Sequence, residues 1–155
     1  MRQMKILAAA LLVAAQAAAQ DALNVVFVPT KQLQSDIHKA PQRGPGLSYI
    51  DLVKTPEYLA DITRRTAPGL AEVHKGVTDI WYVVEGGGTL VTGGSLTGVT
   101  ETSPGELRGS GVSGGEERKI AKGDFVRIPA GVPHWVRKID GEEILYLVVK
   151  VSSPK

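Results

Sequence analysis

The sequence predicts an all-β domain of the sandwich or barrel kind, and three observations carry that expectation. From Gly69 onward nearly every segment has the β-branched and aromatic content of a strand: LAEVH, DIWYVVEG, GTLVTGG, KIAKGD, FVRIPAG, HWVRKI and EILYLVVKV. Each is bounded by Gly, Pro or an acidic turn residue, and many short strands with regular turns argue against alternating strand–helix units. The third is length: 155 residues, the first of which read as a removable leader, suit one domain with a single sizeable core.

At the N-terminus, Arg2 and Lys5 precede the apolar run ILAAALLVAAQAAA, which ends in Ala17, Ala18 and Ala19 before Gln20. This is the pattern of a secretory signal peptide over residues 1–19, and the run is shorter than the roughly 20 apolar residues of a membrane span. Cleavage at that point would remove two of the 18 basic residues and leave 16 against 16 acidic ones. A formally neutral mature chain gives no footing for a nucleic-acid partner, and no membrane span is expected after cleavage. The expected location is the periplasm or the exterior. The absence of cysteine leaves neither disulfides nor thiolate ligands to consider.

Residues 20–68 read as an extension of strands and one short helix ahead of a barrel at 69–155. LNVVFVP reads as a first strand closed by Pro29, and Thr30 as the cap of a helix to about His38 with Leu33 and Ile37 on one face. PQRGPG is a break, followed by the strand-like runs LSYIDLV and YLADITRRT on either side of Thr55-Pro56-Glu57. Within the barrel, Gly86–Gly88 read as a tight turn after a strand. Residues 93–119, rich in Gly, Ser and Thr, are too long for a routine hairpin loop and read either as a solvated arm or as a lid over the barrel mouth.

The chain has three histidines, of which His38 lies among polar residues of the expected helix. His74 and His134 each border a strand. Strand alternation puts Glu72 and His74 on one face, and a turn over Lys75–Thr78 that set two strands side by side would bring Asp79 to them. In the second pattern, Gly123 and the Pro129–Gly131 turn reverse the chain before His134, which shares a face with Val136 and Lys138.

The stretch Gly123, five residues, Pro129, one residue, Gly131, two residues, His134 resembles the second motif of the cupin superfamily. The first cupin motif has two histidines one residue apart, then three or four residues, a glutamate, six residues and a glycine. Glu72, His74, Asp79 and Gly86 fall at that spacing. The resemblance implies a cupin-type jelly-roll (double-stranded β-helix) barrel, commonly a homodimer, with Glu72, His74, Asp79 and His134 at the positions that hold a metal. Three departures stand out: Glu72 replaces a histidine, Asp79 replaces the glutamate, and Lys138 stands where an asparagine often ends the second motif.

Two carboxylates make the implied site harder and less Lewis-acidic than the usual three-imidazole set, favouring Mn or Fe while leaving Zn and Ni open. The shorter Asp79 would reach the ion directly or through a water. A metal-free alternative pairs Glu72 and Asp79 with an inward Lys138, because two carboxylates facing each other in a barrel require some cation. Trp81 reads as pocket wall or core. Arg64 and Arg65 point to opposite faces, so one of them could hold an acidic substrate bidentately. The functional expectation is an exported metal-dependent enzyme for a small organic molecule, of oxygenase, isomerase, decarboxylase or lyase type. A non-catalytic periplasmic binding or sensing barrel is the alternative.

Overall fold

The computed structural model describes residues 25–153, so the leader expected over 1–19 lies outside the described residues. Val25–Pro29 are not in a strand, and Leu23 and Asn24 lie outside the described residues. The expected first strand is therefore not formed across 25–29, where Val25 and Phe27 are exposed. Pro29 itself is the N-cap of helix α1 (Thr30–Lys39), with Thr30 as the first helical residue and no side-chain cap. Ile37 and Leu33 share its buried face, as their spacing requires.

Eleven strands follow: β1 (Leu47–Lys54), β2 (Tyr58–Arg65), β3 (Ala71–His74), β4 (Val77–Thr92), β5 (Ser95–Thr97), β6 (Thr100–Ser103), β7 (Glu106–Gly109), β8 (Gly111–Ser113), β9 (Glu116–Ala121), β10 (Phe125–Ile128) and β11 (His134–Ser152). Nine of them form one curled antiparallel sheet, whose main path runs β1-β2-β11-β3-β7-β6, with β4 joining β9, β10 and β11. The sheet continues without interruption across residue 69, because β2 pairs with β11 and β1 pairs with the other edge of β2. β5 and β8 pair separately.

Two long strands organise the barrel. β4 and β11 pair from His134↔Thr92 to Ser152↔Val77, with register shifts at three places. The segments read as DIWYVVEG and GTLVTGG are thus one strand, as are HWVRKI and EILYLVVKV. Gly86–Gly88 form no turn; they lie inside β4, opposite the bulge between Asp140 and Ile144. Gly86 has φ +71, and a Cβ there would stand 2.0 Å from the Glu143 carbonyl oxygen. Only glycine lets the two strands bend together at this point.

Alternation along β11 fills two cores. Ile144, Tyr146 and Val148 point inward and pack with Trp81, Val83, Leu90, Ile120, Ile128 and Val136. Leu145 points outward and, with Ile62, is covered by Ile37 of α1. Residues 93–119 supply β5 to β8 and the first part of β9, and β7 continues the barrel sheet beside β3. The stretch is built into the fold more closely than either a solvated arm or a detached lid. No helix among the described residues is long and apolar enough to cross a membrane.

Candidate functional site

Register alone brings the site together. His134 opens β11 opposite Glu72 of β3, and Glu72 faces Arg108 of β7. Two positions along, His74 faces Glu106. At the far end of β11, Lys150 lies between Leu59 of β2 and Asp79 of β4. Directly paired antiparallel residues project to the same face, so these side chains line one cavity of about 430 Å³. The hairpin expected to place Asp79 beside Glu72 does not exist: β3 pairs with β7 and β11, not with β4. Asp79 meets His74 by another route, across the barrel interior.

Ligand-type atoms of Glu72, His74 and His134 lie within 4.8 Å of one another. His74 Nδ1 donates to Glu106 at 2.6 Å, and His134 Nδ1 donates to the Val132 carbonyl at 3.1 Å. Both rings are thereby held with Nε2 turned toward the cluster, which is how metal-binding imidazoles are commonly oriented. Burial opposes a charge on His74, but Glu72 and Asp79 outweigh it and raise the ring above the ordinary histidine value. Burial holds His134 below the ordinary histidine value, so its ring is neutral. The rings of His74 and His134 stand 5.2 Å apart, and Trp81 packs edge-on to His134 at 5.7 Å.

Asp79 is sealed from solvent at 2 % exposure and carries its own partners. Lys150 Nζ reaches its two oxygens at 3.1 and 3.2 Å, and Trp81 Nε1 donates to Oδ2 at 3.3 Å. Its Oδ2 is 3.7 Å from His74 Nε2 and 3.8 Å from His134 Nε2. Lys150 Nζ also lies 3.0 Å from His74 Nε2, donating to it. On the other side, Arg65 donates to Glu72 at 3.0 Å and to the buried Tyr146 hydroxyl at 2.8 Å, while Arg108 approaches Glu72 at 3.6 Å. Burial alone would push the Glu72 carboxyl up, but the His74 contact and the two guanidinium groups outweigh it and hold it well below the usual carboxylate range. Burial pushes the Tyr146 hydroxyl up, leaving it protonated.

Two expected participants lie elsewhere. Lys138 does not face the cavity; its side chain is 65 % exposed and turns to Asp140. A register shift between Val136 and Lys138 breaks the alternation that would have turned it inward. Arg64 shares the outer face with Ile62 and pairs with Glu143 at 2.6 Å. Its neighbour Arg65 takes the inward position. The counter-cations for Glu72 and Asp79 are therefore Arg65, Arg108 and Lys150. Lys150 was legible as a charge inside the apolar run LVVKV, two residues from Val148 on the same face. Glu106 and Arg108 lay in the Gly-rich stretch, where ELR alternation was the sole signal.

The three-residue set passes a test of fit for a divalent ion. Its donors converge, its two imidazoles have their tautomers fixed, and a carboxylate completes two nitrogens and one oxygen. Asp79 is the less available carboxylate, because Lys150 and Trp81 already engage it.

No family model matches the chain, and no curated protein does. Solved structures do. The protein TT1209 from Thermus thermophilus is 23% identical over 84% of this chain and all of its own length, with a TM-score of 0.54. KdgF from Halomonas sp. is 17% identical, covering 75% of this chain and 90% of its own, with a TM-score of 0.53. A salicylate 1,2-dioxygenase from Pseudaminobacter salicylatoxidans is 20% identical over 79% of this chain, which spans 31% of that enzyme, with a TM-score of 0.51. At such identities the likeness speaks for architecture, and it agrees with the motif spacing around His74 and His134: the chain folds as a cupin-type jelly roll.

Proposed function

We propose that this chain is an exported, metal-dependent enzyme that encloses a small organic substrate in its barrel. The observation that carries the proposal is the convergence of Glu72, His74 and His134 within 4.8 Å on the wall of a cavity of about 430 Å³. These three residues would hold the ion, and their mixed nitrogen and oxygen donors favour Mn²⁺ or Fe²⁺, with Zn²⁺ and Ni²⁺ as competitors. When bound, the ion would polarise a substrate oxygen or activate water or dioxygen, the chemistry common to oxygenase, isomerase, decarboxylase and lyase reactions. The protein groups do the rest. Glu106 and the Val132 carbonyl keep both imidazoles in the accepting tautomer, Arg65 and Arg108 orient Glu72, and Trp81 and Tyr146 wall the site against water. Asp79 and Lys150 form an ion pair beside His74. The 1–19 segment supplies the expectation of export, and the exposed cross-strand pair Tyr82 and Phe125 offers an apolar face for a homodimer.

Metal analysis and thermal unfolding test this reading. Saturating Mn²⁺ or Fe²⁺ is expected to raise the melting temperature of the wild type and not that of His134→Ala. Equal curves for the two proteins with and without each of the four ions would end the metal proposal.

One observation favours the alternative, a non-catalytic ligand-binding or sensing barrel, in its metal-free form. Lys150 already places a cation 3.0 Å from His74 Nε2 and 3.1 Å from Asp79 Oδ2. Lys150→Gln separates the two readings. In the metal enzyme it maintains or strengthens ion uptake, whereas in the metal-free barrel it lowers stability and recruits no ion.

A further inference from the structure

The cavity contains a second carboxyl away from the histidine cluster. Asp61 of β2 is 4 % exposed and lines the same cavity. It lies in a row that crosses four strands, Asp51 on β1, Asp61 on β2, Val148 on β11 and Trp81 on β4, all paired directly and so turned to one face. Neighbouring strands are about 4.8 Å apart, so Asp61 lies roughly 10 Å across the cavity wall from Trp81.

The surroundings of Asp61 are unusual for a buried carboxylate. Its hydrogen bond among the described residues is from the Thr63 hydroxyl to Oδ1, at 2.6 Å. No sealed side-chain polar atom among the described residues lacks a partner, so the second oxygen is open to the cavity. No basic side chain among the described residues pairs with it. The charged groups facing it are Asp51 from β1, Asp79 from β4 and Lys150 from β11, with Lys54 at the rim. Burial pushes its carboxyl up to about 6, against the Thr63 hydrogen bond and the more distant Lys150, which pull it down.

The charges around the cavity point to the ligand. Its lining holds four basic and five acidic side chains. With Asp61 neutral these formal charges cancel, and a divalent ion at the histidine cluster leaves an excess of two positive charges for a ligand to meet.

We propose that the cavity takes a small organic acid, and that Asp61 meets it as a neutral carboxyl donating a hydrogen bond to one of its oxygens. The inference deepens the small-molecule reading of the barrel and rests on it. Ionised Asp61 would repel such a ligand and could not donate, so binding draws one proton from solvent onto Asp61, and no covalent bond is made or broken. His74 and His134 lie in the same cavity, so the wild-type pH dependence has to be compared with that of a variant in which Asp61 cannot ionise.

The test is calorimetric binding of glycolate, pyruvate and gluconate, with glycerol as the uncharged control, to the protein in the presence of Mn²⁺. For a ligand that binds only the neutral form, affinity falls about 90-fold between pH 5 and pH 8. Asp61→Asn keeps a donor without a proton to lose and is expected to remove most of that fall. Thr63→Val, which deletes the bond favouring the ionised form, is expected to move the midpoint to higher pH. An equal fall in wild type and Asp61→Asn, or no fall in either, overturns the role of Asp61 and leaves the small-molecule site standing. Glycerol bound as tightly as the acids overturns the acid class. Failure of all three acids to bind either protein at pH 5 overturns both this inference and the small-molecule reading beneath it.

Discussion

Single residues in this barrel trade stability for position, and Asp61 shows the exchange most directly. Its folded value of about 6 stands above the unfolded value of 3.8, so folding favours the protonated form. Asp61 therefore costs stability progressively as pH rises from about 4 through 6, and the full cost is present above that window. Moving a carboxyl's titration by one pH unit is worth about 1.4 kcal/mol, so Asp61→Asn is expected to stabilise the protein at pH 8 by up to about 3 kcal/mol and to change little at pH 4. Chemical denaturation at the two values measures this, and equal stability of wild type and variant at pH 8 would count against the burial argument. Arg65 faces the same cost of burial and meets it differently. Its guanidinium is nearly sealed, and the Tyr146 hydroxyl and Glu72 carboxylate are what make that burial tolerable.

Elements depend on a few special contacts. β4 and β11 bend together at Gly86, where a side chain would need both a left-handed backbone and space already taken by the Glu143 carbonyl oxygen, 2.0 Å away. Gly131, at φ +80, has open space around its would-be Cβ. Gly131→Ala is expected to cost about 1–2 kcal/mol, the backbone strain alone. Gly86→Ala adds a backbone clash and should cost clearly more, read as a larger drop in denaturation midpoint. Helix α1 is fastened by its own device. His38 Nε2 meets Glu143 Oε1 at 3.0 Å, and Arg64 meets the other oxygen of Glu143 at 2.6 Å. The Gln34 carbonyl and Glu143 raise His38 above 6.5, so its contribution is whole below 6.5 and is lost as pH rises through the higher folded value. Burial opposes ionisation of Glu143, but Arg64 and His38 outweigh it and hold the carboxyl below 4.5. Its contribution is whole above 4.5 and is lost as pH falls through the lower folded value. The clamp is thus strongest between pH 4.5 and 6.5. The protection of the α1 amides against hydrogen exchange, relative to their intrinsic rates at each pH, is expected to be greatest in that window and to lose both limbs in Glu143→Gln.

At the scale of the molecule, the two cores and the site share the strand β11. Its inward residues Ile144, Tyr146 and Val148 build the barrel interior, its outward Leu145 seats the helix, and its two ends deliver His134 and Lys150 to the cavity. A ligand or ion bound there stabilises the fold as a whole. An ion present at about 100 times its dissociation constant adds about 2.7 kcal/mol, which for a domain of this size corresponds to a rise of roughly 5–11 °C in melting temperature.

The sequence by itself determined the all-β class, helix α1 and most strand positions, which follow from local chemistry: alternation fixes which neighbours share a face, and glycine and proline mark where strands end. The grouping of Glu72, His74, Asp79 and His134 was implied by the resemblance of two short motifs, and local chemistry alone did not supply it. Only the tertiary structure decided which cations answer the carboxylates, that Gly86–Gly88 lie within a strand, and that β7 brings Glu106 and Arg108 to the cavity. The reason is register. Lys138 was expected to point inward by counting in twos from His134, but one bulge after Val136 turned it to solvent. Lys150 and Arg65 hold the inward places because β2, β4 and β11 pair across long sequence separations, in a register that no short stretch of the chain encodes.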